Sequence, residues 1–217
     1  TAATGSLQPG DISVILMNTD TPDAIAFVAL VDLQEGVSII FTDSGWYASG
    51  GFRYTEGVVR YTVPTGGLPS GTIVYRDTPF NTNNWDVPSG LGFSGEFSLS
   101  ASGDQVIAFQ GDTTSYSLIY ALNGEGAAVW QTEATSSNTS ALPTGLVNGE
   151  TAVAVNELDN IKLNCSENHT GTKQELIEYI SDYINWVGDD TIIQSVDPNC
   201  SFTVTEEKSE PVINEFS

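Results

Sequence analysis

A chain of 217 residues with 28 acidic side chains against 6 basic ones and a single histidine carries a formal charge of −22. Its cations, Arg53, Arg60, Arg76, Lys162, Lys173 and Lys208, are scattered, which excludes nucleic acid and an anionic membrane surface as partners, because both demand clustered Lys and Arg. A 40% hydrophobic and 10% aromatic content separates it from disordered acidic chains, and the length suits one domain of the larger all-β kind.

The N-terminal Thr1-Ala2-Ala3-Thr4 has neither the basic nor the apolar region of a signal peptide and reads as a processed end. No apolar run reaches the roughly 18 residues that span a bilayer, so membrane insertion is not expected. Strands alternate with turn signals from there on. Residues 11–17 read as a strand, followed by the turn Asn18-Thr19-Asp20-Thr21-Pro22-Asp23. Residues 24–33 are apolar almost throughout, which predicts a strand buried on both faces. Further strands are expected over 37–42, 57–63, 71–76, 97–99, 105–110 and 115–122, with a long loop over 81–92 and an exposed Ser/Thr tract over 132–140. This spacing predicts a mainly β fold, a β-sandwich of jelly-roll or immunoglobulin-like (lamin-tail-like) kind.

One helix is expected, over about 173–186. Thr172-Lys173-Gln174-Glu175 is a capping box, and Leu176, Ile180, Tyr183 and Ile184 share one helical face before Gly188. Cys165 and Cys200 bracket this helix. Buried thiols are the plain alternative, but both residues sit in Asn-rich loop contexts, where a disulfide is expected; it would place the chain outside the cytoplasm. Four N-glycosylation sequons begin at Asn138, Asn164, Asn168 and Asn199; chance alone accounts for their number in a chain so rich in Asn, Ser and Thr, but three lie in the cysteine-bracketed segment and all in polar stretches where an N-linked glycan could project. A strand over 201–205 closes a single domain spanning 1–205, which includes the helical segment 165–200. The rest, 206–217, is a charged, proline-containing spacer and a short apolar strand of Val212, Ile213, Asn214, Glu215 and Phe216. Such a strand needs hydrogen-bond partners, either within its own sandwich or on a neighbour's open sheet edge.

The stretches GDISVILMNTDTPDAIAFVALVDLQEGVSIIFTDSGW, GGFRYTEGVVRYTVPTGGLPSGTIV, LSASGDQVIAFQG and GTKQELIEYISDYINW cover most of Gly10 to Trp186. They resemble a β-rich module, without assigned activity, of secreted and surface proteins of aquatic bacteria. In such proteins the module accompanies lamin-tail-like domains, calcium-binding repeats and sometimes nuclease or phosphatase domains. FSLSASGDQVIAF resembles the strand-turn-strand of lamin-tail sandwiches, and EPVINEFS the opening strand of such a domain. The cysteine pair and its sequons depart from the module's pattern.

Catalytic signatures are sparse. No Gly-x-Ser-x-Gly occurs, the one histidine, His169, lies inside a sequon, and two cysteines with one histidine match no zinc pattern. Among 28 acids no carboxylate pair stands out. Trp46, Tyr47, Trp85 and Trp130 offer a sugar-stacking platform, against which stands their commoner role as core and loop anchors. Calcium is the cofactor that fits the oxygen-rich turn of Asn18, Asp20 and Asp23 with Asp43 nearby, although Asp and Asn also cap turns without metal. The expectation is therefore a non-enzymatic, secreted structural protein, a subunit that joins copies of itself into a fibre or surface layer. The alternative is a polysaccharide- or calcium-binding accessory or adhesion module of a larger secreted protein.

Overall fold

In the computed structural model, which describes residues 5–112 and 114–206, the apolar runs of the first half become the centres of two packed sheets. Strands β1 (Ile12–Asn18), β2 (Ala24–Ala29), β3 (Ser38–Thr42), β4 (Val58–Thr62) and β5 (Ile73–Asp77) come first. They are followed by β6 (Trp85–Asp86), β7 (Gln105–Gly111), β8 (Tyr116–Asn123), β9 (Ala152–Ala154) and β10 (Asn160–Leu163). Next, β11 (Asn168–Thr172) leads into helix α1 (Lys173–Ser181), a 3-10 turn over Tyr183–Asn185, β12 (Trp186–Asp189) and β13 (Ser201–Thr205). One sheet has the order β12-β10-β1-β2-β5 and the other β6-β4-β3-β7-β8-β9, while β11 and β13 form a separate parallel pair. The fold is the expected mainly β sandwich with one helix in the C-terminal half.

The period-2 alternation of strand side chains explains why the six-stranded sheet reads as nearly continuous apolar sequence. Ile39, Phe41, Val59, Tyr61, Val106 and Ala108 face the five-stranded sheet, where the Phe27 ring lies 5.2 Å from Phe41 and 5.4 Å from Tyr61. Their neighbours Ile40, Val58, Ile107, Phe109 and Ala121 join a second apolar cluster with Trp46, Phe52 and Leu146, supplied by loops. Both faces of this sheet are thus covered, and full burial of each large side chain contributes about 1.5–3 kcal/mol. β2 is buried at every position, as its sequence predicts. At one corner the Gly10 amide donates to the Ile119 carbonyl at 2.9 Å, tying the start of β1 to β8.

Several boundaries differ from the sequence reading. The apolar run 24–33 leaves the ladder at Ala29; Leu33 then makes only an isolated bridge with Leu68. Residues 97–99 form no strand; the amides of Ser98 and Leu99 are taken by side chains rather than by a neighbouring strand. Strands β6 and β9 to β12 were not anticipated, and Trp85 of β6 turns the expected loop 81–92 into part of the core. The capping box is present, with the Glu175 amide donating to Thr172 Oγ1 at 3.2 Å and the Thr172 amide to Glu175 Oε2 at 2.8 Å. The helix nevertheless stops at Ser181, short of residue 186. Asp182 is extended, and its carboxylate caps the following turn by accepting from the Ile184 amide at 3.2 Å, a local bond that competes with helix. Leu176, Ile177 and Ile180 reach the core, whereas Tyr183 and Ile184 are 52% and 67% exposed, so the four-residue apolar face expected for the helix does not form.

Cys165 and Cys200 form the expected disulfide, 35 residues apart, around β11, α1 and β12. Lys173, at the start of α1, reaches Asp11 Oδ1 at 2.6 Å and fixes the helix against the start of β1.

Candidate functional site

Four acidic side chains meet at the end of the sandwich where β3 ends and β4 and β7 begin. Asp43 follows β3, Glu56 precedes β4, Asp104 precedes β7, and Asp23 enters from the turn before β2. Three of them hold one stretch of chain. The consecutive amides of Ser98, Leu99 and Ser100 donate to Asp43 Oδ2 at 2.7 Å, Asp23 Oδ2 at 2.8 Å and Asp104 Oδ2 at 2.7 Å. The second oxygen of Asp43 accepts from the Gly57 amide at 2.9 Å, and Asp104 Oδ1 from the amide and the side chain of Gln105 at 2.7 and 2.9 Å. Gly57 permits this approach, because a Cβ there would collide with the backbone of Glu96 and Phe97.

The electrostatics follow from burial. Desolvation raises Asp43 to about 7, with backbone bonds to Ser98 and Gly57 opposing and Asp23 adding to the rise. Glu56 rises to about 8, through burial and then the charge of Asp43, with Arg53 pulling the other way. Asp104 lies well above the ordinary carboxylate range, and Asp23 is raised as well, again mainly by burial. Glu56 Oε2 and Gln105 Oε1 are buried without a hydrogen-bond partner among the described residues. The arrangement clamps residues 98–100, with Asp23, Asp43 and Asp104 turned towards amide donors.

The residues singled out for calcium separate into two places. Asn18 exchanges bonds with Gln194, donating to its carbonyl at 2.9 Å and accepting from its amide at 3.1 Å, and Asp20 accepts from Asn160 Nδ2 at 2.8 Å. Asp23 and Asp43 belong to the carboxylate clamp. Among the described residues no group of three or more His, Cys, Asp or Glu side chains is disposed to hold a metal ion.

Of the sequon asparagines, Asn164, Asn168 and Asn199 are exposed around the disulfide. Asn138 is half-buried, and its Nδ2, the atom a glycan would occupy, donates to the Ser102 carbonyl at 3.0 Å and to Glu125 Oε2 at 3.3 Å. His169 stacks on Tyr179 with ring centroids 4.2 Å apart, an anchoring contact within the disulfide segment. The tryptophans do not form one platform: Trp85 packs inside the sandwich, Trp46 lies in the second cluster, and Trp130 packs against that cluster and donates to Asn148 Oδ1 at 2.8 Å. Trp46 instead forms, with Tyr116, Leu118 and Leu146, part of the wall of a surface groove of about 520 Å³. The expected assembly strand, Val212 to Phe216, lies outside the described residues.

The sheet edges are unequal. β9 is short and backed by residues 147–149, whose groups bond Ala152 and Ala154, and β6 has only two residues. β12 has four, and the bond from the Asn164 amide to the Asn185 carbonyl sets a register in which Val187 and Asp189 face β10, so that within the strand Trp186 and Gly188 face outward. β5 offers more. Flanking bonds from Ala29 to Thr72 and from Thr78 to Asp23 fix Thr72 and Thr78 as bonded positions, so Val74 and Arg76 face β2. The N–H and C=O groups of Ile73, Tyr75 and Asp77 therefore point away from the sheet, and Tyr75 is 45% exposed. The run 71–76 reads as a strand in the sequence, but its place at an edge is set by which distant strands pair.

Comparison with family models, curated proteins and solved structures returned no match.

Proposed function

We propose that this protein is a non-enzymatic structural subunit that works outside the cytoplasm and associates with copies of itself into a fibre or surface layer. The observation that carries the reading is the outer edge of β5, three outward backbone positions long and without a strand partner among the described residues. An edge with outward N–H and C=O groups is a template for strand addition. The Cys165–Cys200 disulfide supports a location outside the cytoplasm, and the exposed Asn164, Asn168 and Asn199 supply positions for N-linked glycans on a secreted chain. Negative-stain microscopy of the native material tests this reading directly. Regular fibres or sheets support it, and monodisperse globules at every concentration refute it.

A second reading, a polysaccharide-binding accessory or adhesion module, is supported by the groove lined by Trp46 and Tyr116. Calcium, expected in sequence at Asn18, Asp20, Asp23 and Asp43, is the ion that reading would add. A glycan array and a calcium titration followed by thermal unfolding test it; blanks in both sink it.

A further inference from the structure

We infer that the groove beside Tyr116 binds a neutral saccharide, with the Tyr116 ring as its stacking platform; this rests on the second of the two readings above. Charge sets this groove apart. Its lining carries no charged side chain, in a chain with 28 acids and 6 bases. The groove over β3 and β7 contains Glu35 and Arg60, and the one beside residues 66–69 contains Asp32 and Glu35. A further groove, beside Ser70, contains Asp32, Lys173 and Glu206. An anionic ligand meets no cation in the uncharged groove and is repelled by the rest of the molecule, while a cationic one is drawn to carboxylates elsewhere. The lining therefore suits an uncharged molecule.

Its composition narrows the class. Tyr116, Leu118 and Leu146 supply apolar surface, and the exposed Gln8, Ser49, Ser117 and Thr144 add hydroxyl and amide groups. A pyranose ring has the matching form, apolar C–H faces edged by hydroxyls, and an aromatic ring with a polar end serves both. Trp46 is only 3% exposed and acts as a buttress. Its ring meets Tyr116 edge-on with centroids 5.6 Å apart, and the Phe52 ring lies 5.3 Å from Tyr116. Tyr116 is half-buried and held by these rings before any ligand arrives, which lowers the ordering cost of binding. The rim beside its hydroxyl is low, because Gly50 and Gly51 have φ of +94° and +95°, where side chains rarely fit. A Cβ at Gly51 would come within 3.7 Å of the Tyr116 hydroxyl. A proline-rich peptide, the other common occupant of Trp- and Tyr-lined grooves, is a poorer match. Its prolines offer only carbonyl acceptors, and the indole N–H of Trp46 already donates to Thr144 Oγ1 at 3.3 Å. The Thr144 hydroxyl thereby keeps its own proton for a ligand oxygen.

Affinity electrophoresis of the full chain tests the proposal, in gels containing neutral hydroxyethyl cellulose, galactomannan or laminarin, or anionic alginate. Retardation by at least one neutral polymer and none by alginate is the expected result. Tyr116→Ala is expected to weaken that binding by about tenfold or more. Because Tyr116 is half-buried, a second variant, Ser49→Arg, fills the groove from an exposed position and is expected to weaken binding as far at unchanged Tm. Undiminished retardation of both variants overturns the groove and leaves the polysaccharide reading standing elsewhere on the surface. Retardation by alginate overturns the neutral class, and binding of poly-L-proline in place of any sugar overturns the saccharide. Unchanged mobility in every gel sinks the proposal and the reading together.

Discussion

Asp43, Asp104, Glu56 and Asp23 give the molecule its most unusual local chemistry. Their folded-state carboxyls are raised by burial, Asp43 to about 7 and Glu56 to about 8. Between the ordinary carboxylate range and about pH 8 the folded chain therefore binds more protons than the unfolded chain, and stability falls as pH rises through that window. Thermal unfolding is expected to give a higher Tm at pH 5 than at pH 8.5. Glu56→Gln removes one of these charges without changing shape; it is expected to raise Tm at pH 8.5, leave it nearly unchanged at pH 5, and flatten the dependence between. A Tm that climbs from pH 5 to 8.5 contradicts the clamp's electrostatics. Single residues of the clamp were legible only in part. Asp23 and Asp43 stood out through an oxygen-rich turn and a neighbouring strand end, whereas Glu56 and Asp104 join them only once β3, β4 and β7 pair. Asn18 and Asp20 looked equivalent to Asp23 in sequence, yet their partners Gln194 and Asn160 lie more than a hundred residues away.

At the scale of elements, the segment after Glu96 illustrates how side chains can replace a strand partner. The amides of Ser98, Leu99 and Ser100 are each bound by an aspartate, so hydrogen exchange at these three positions is expected to be slow, although no ladder includes them. Exchange at the rate of free loops would remove the clamp from the account. The disulfide segment makes a second prediction. Replacing both Cys165 and Cys200 by Ala opens a loop of 35 residues and is expected to cost about 4 kcal/mol on the chain-entropy estimate, read as a lower Tm. Strands whose apolar pattern is set by burial, β1 to β4, β7 and β8, were legible to within a few residues. Short β6 and β9 were not, because Trp85 and the Ala-Val-Ala run are strands only by virtue of distant neighbours. The helix was legible at its start, where Thr172 and Glu175 act on adjacent backbone. Its end was misjudged, because Asp182 can cap a new turn as readily as it can sit in a helix.

At the scale of the whole molecule, a formal charge of −22 opposes the close approach of copies that the proposed assembly requires. The strength of that opposition is set by screening, since the Debye length shrinks from about 30 Å at 0.01 M salt to about 3 Å at 1 M. Raised carboxyls at the clamp add a smaller effect of the same sign, because acidification removes negative charge. Assembly is accordingly expected to strengthen with salt and with mild acidity. Sedimentation velocity of the full chain across this salt range, at fixed protein concentration and neutral pH, tests the central claim most directly. A shift from monomer at low salt to large, concentration-dependent species at high salt is expected. A single monomeric boundary at every salt and protein concentration would contradict it.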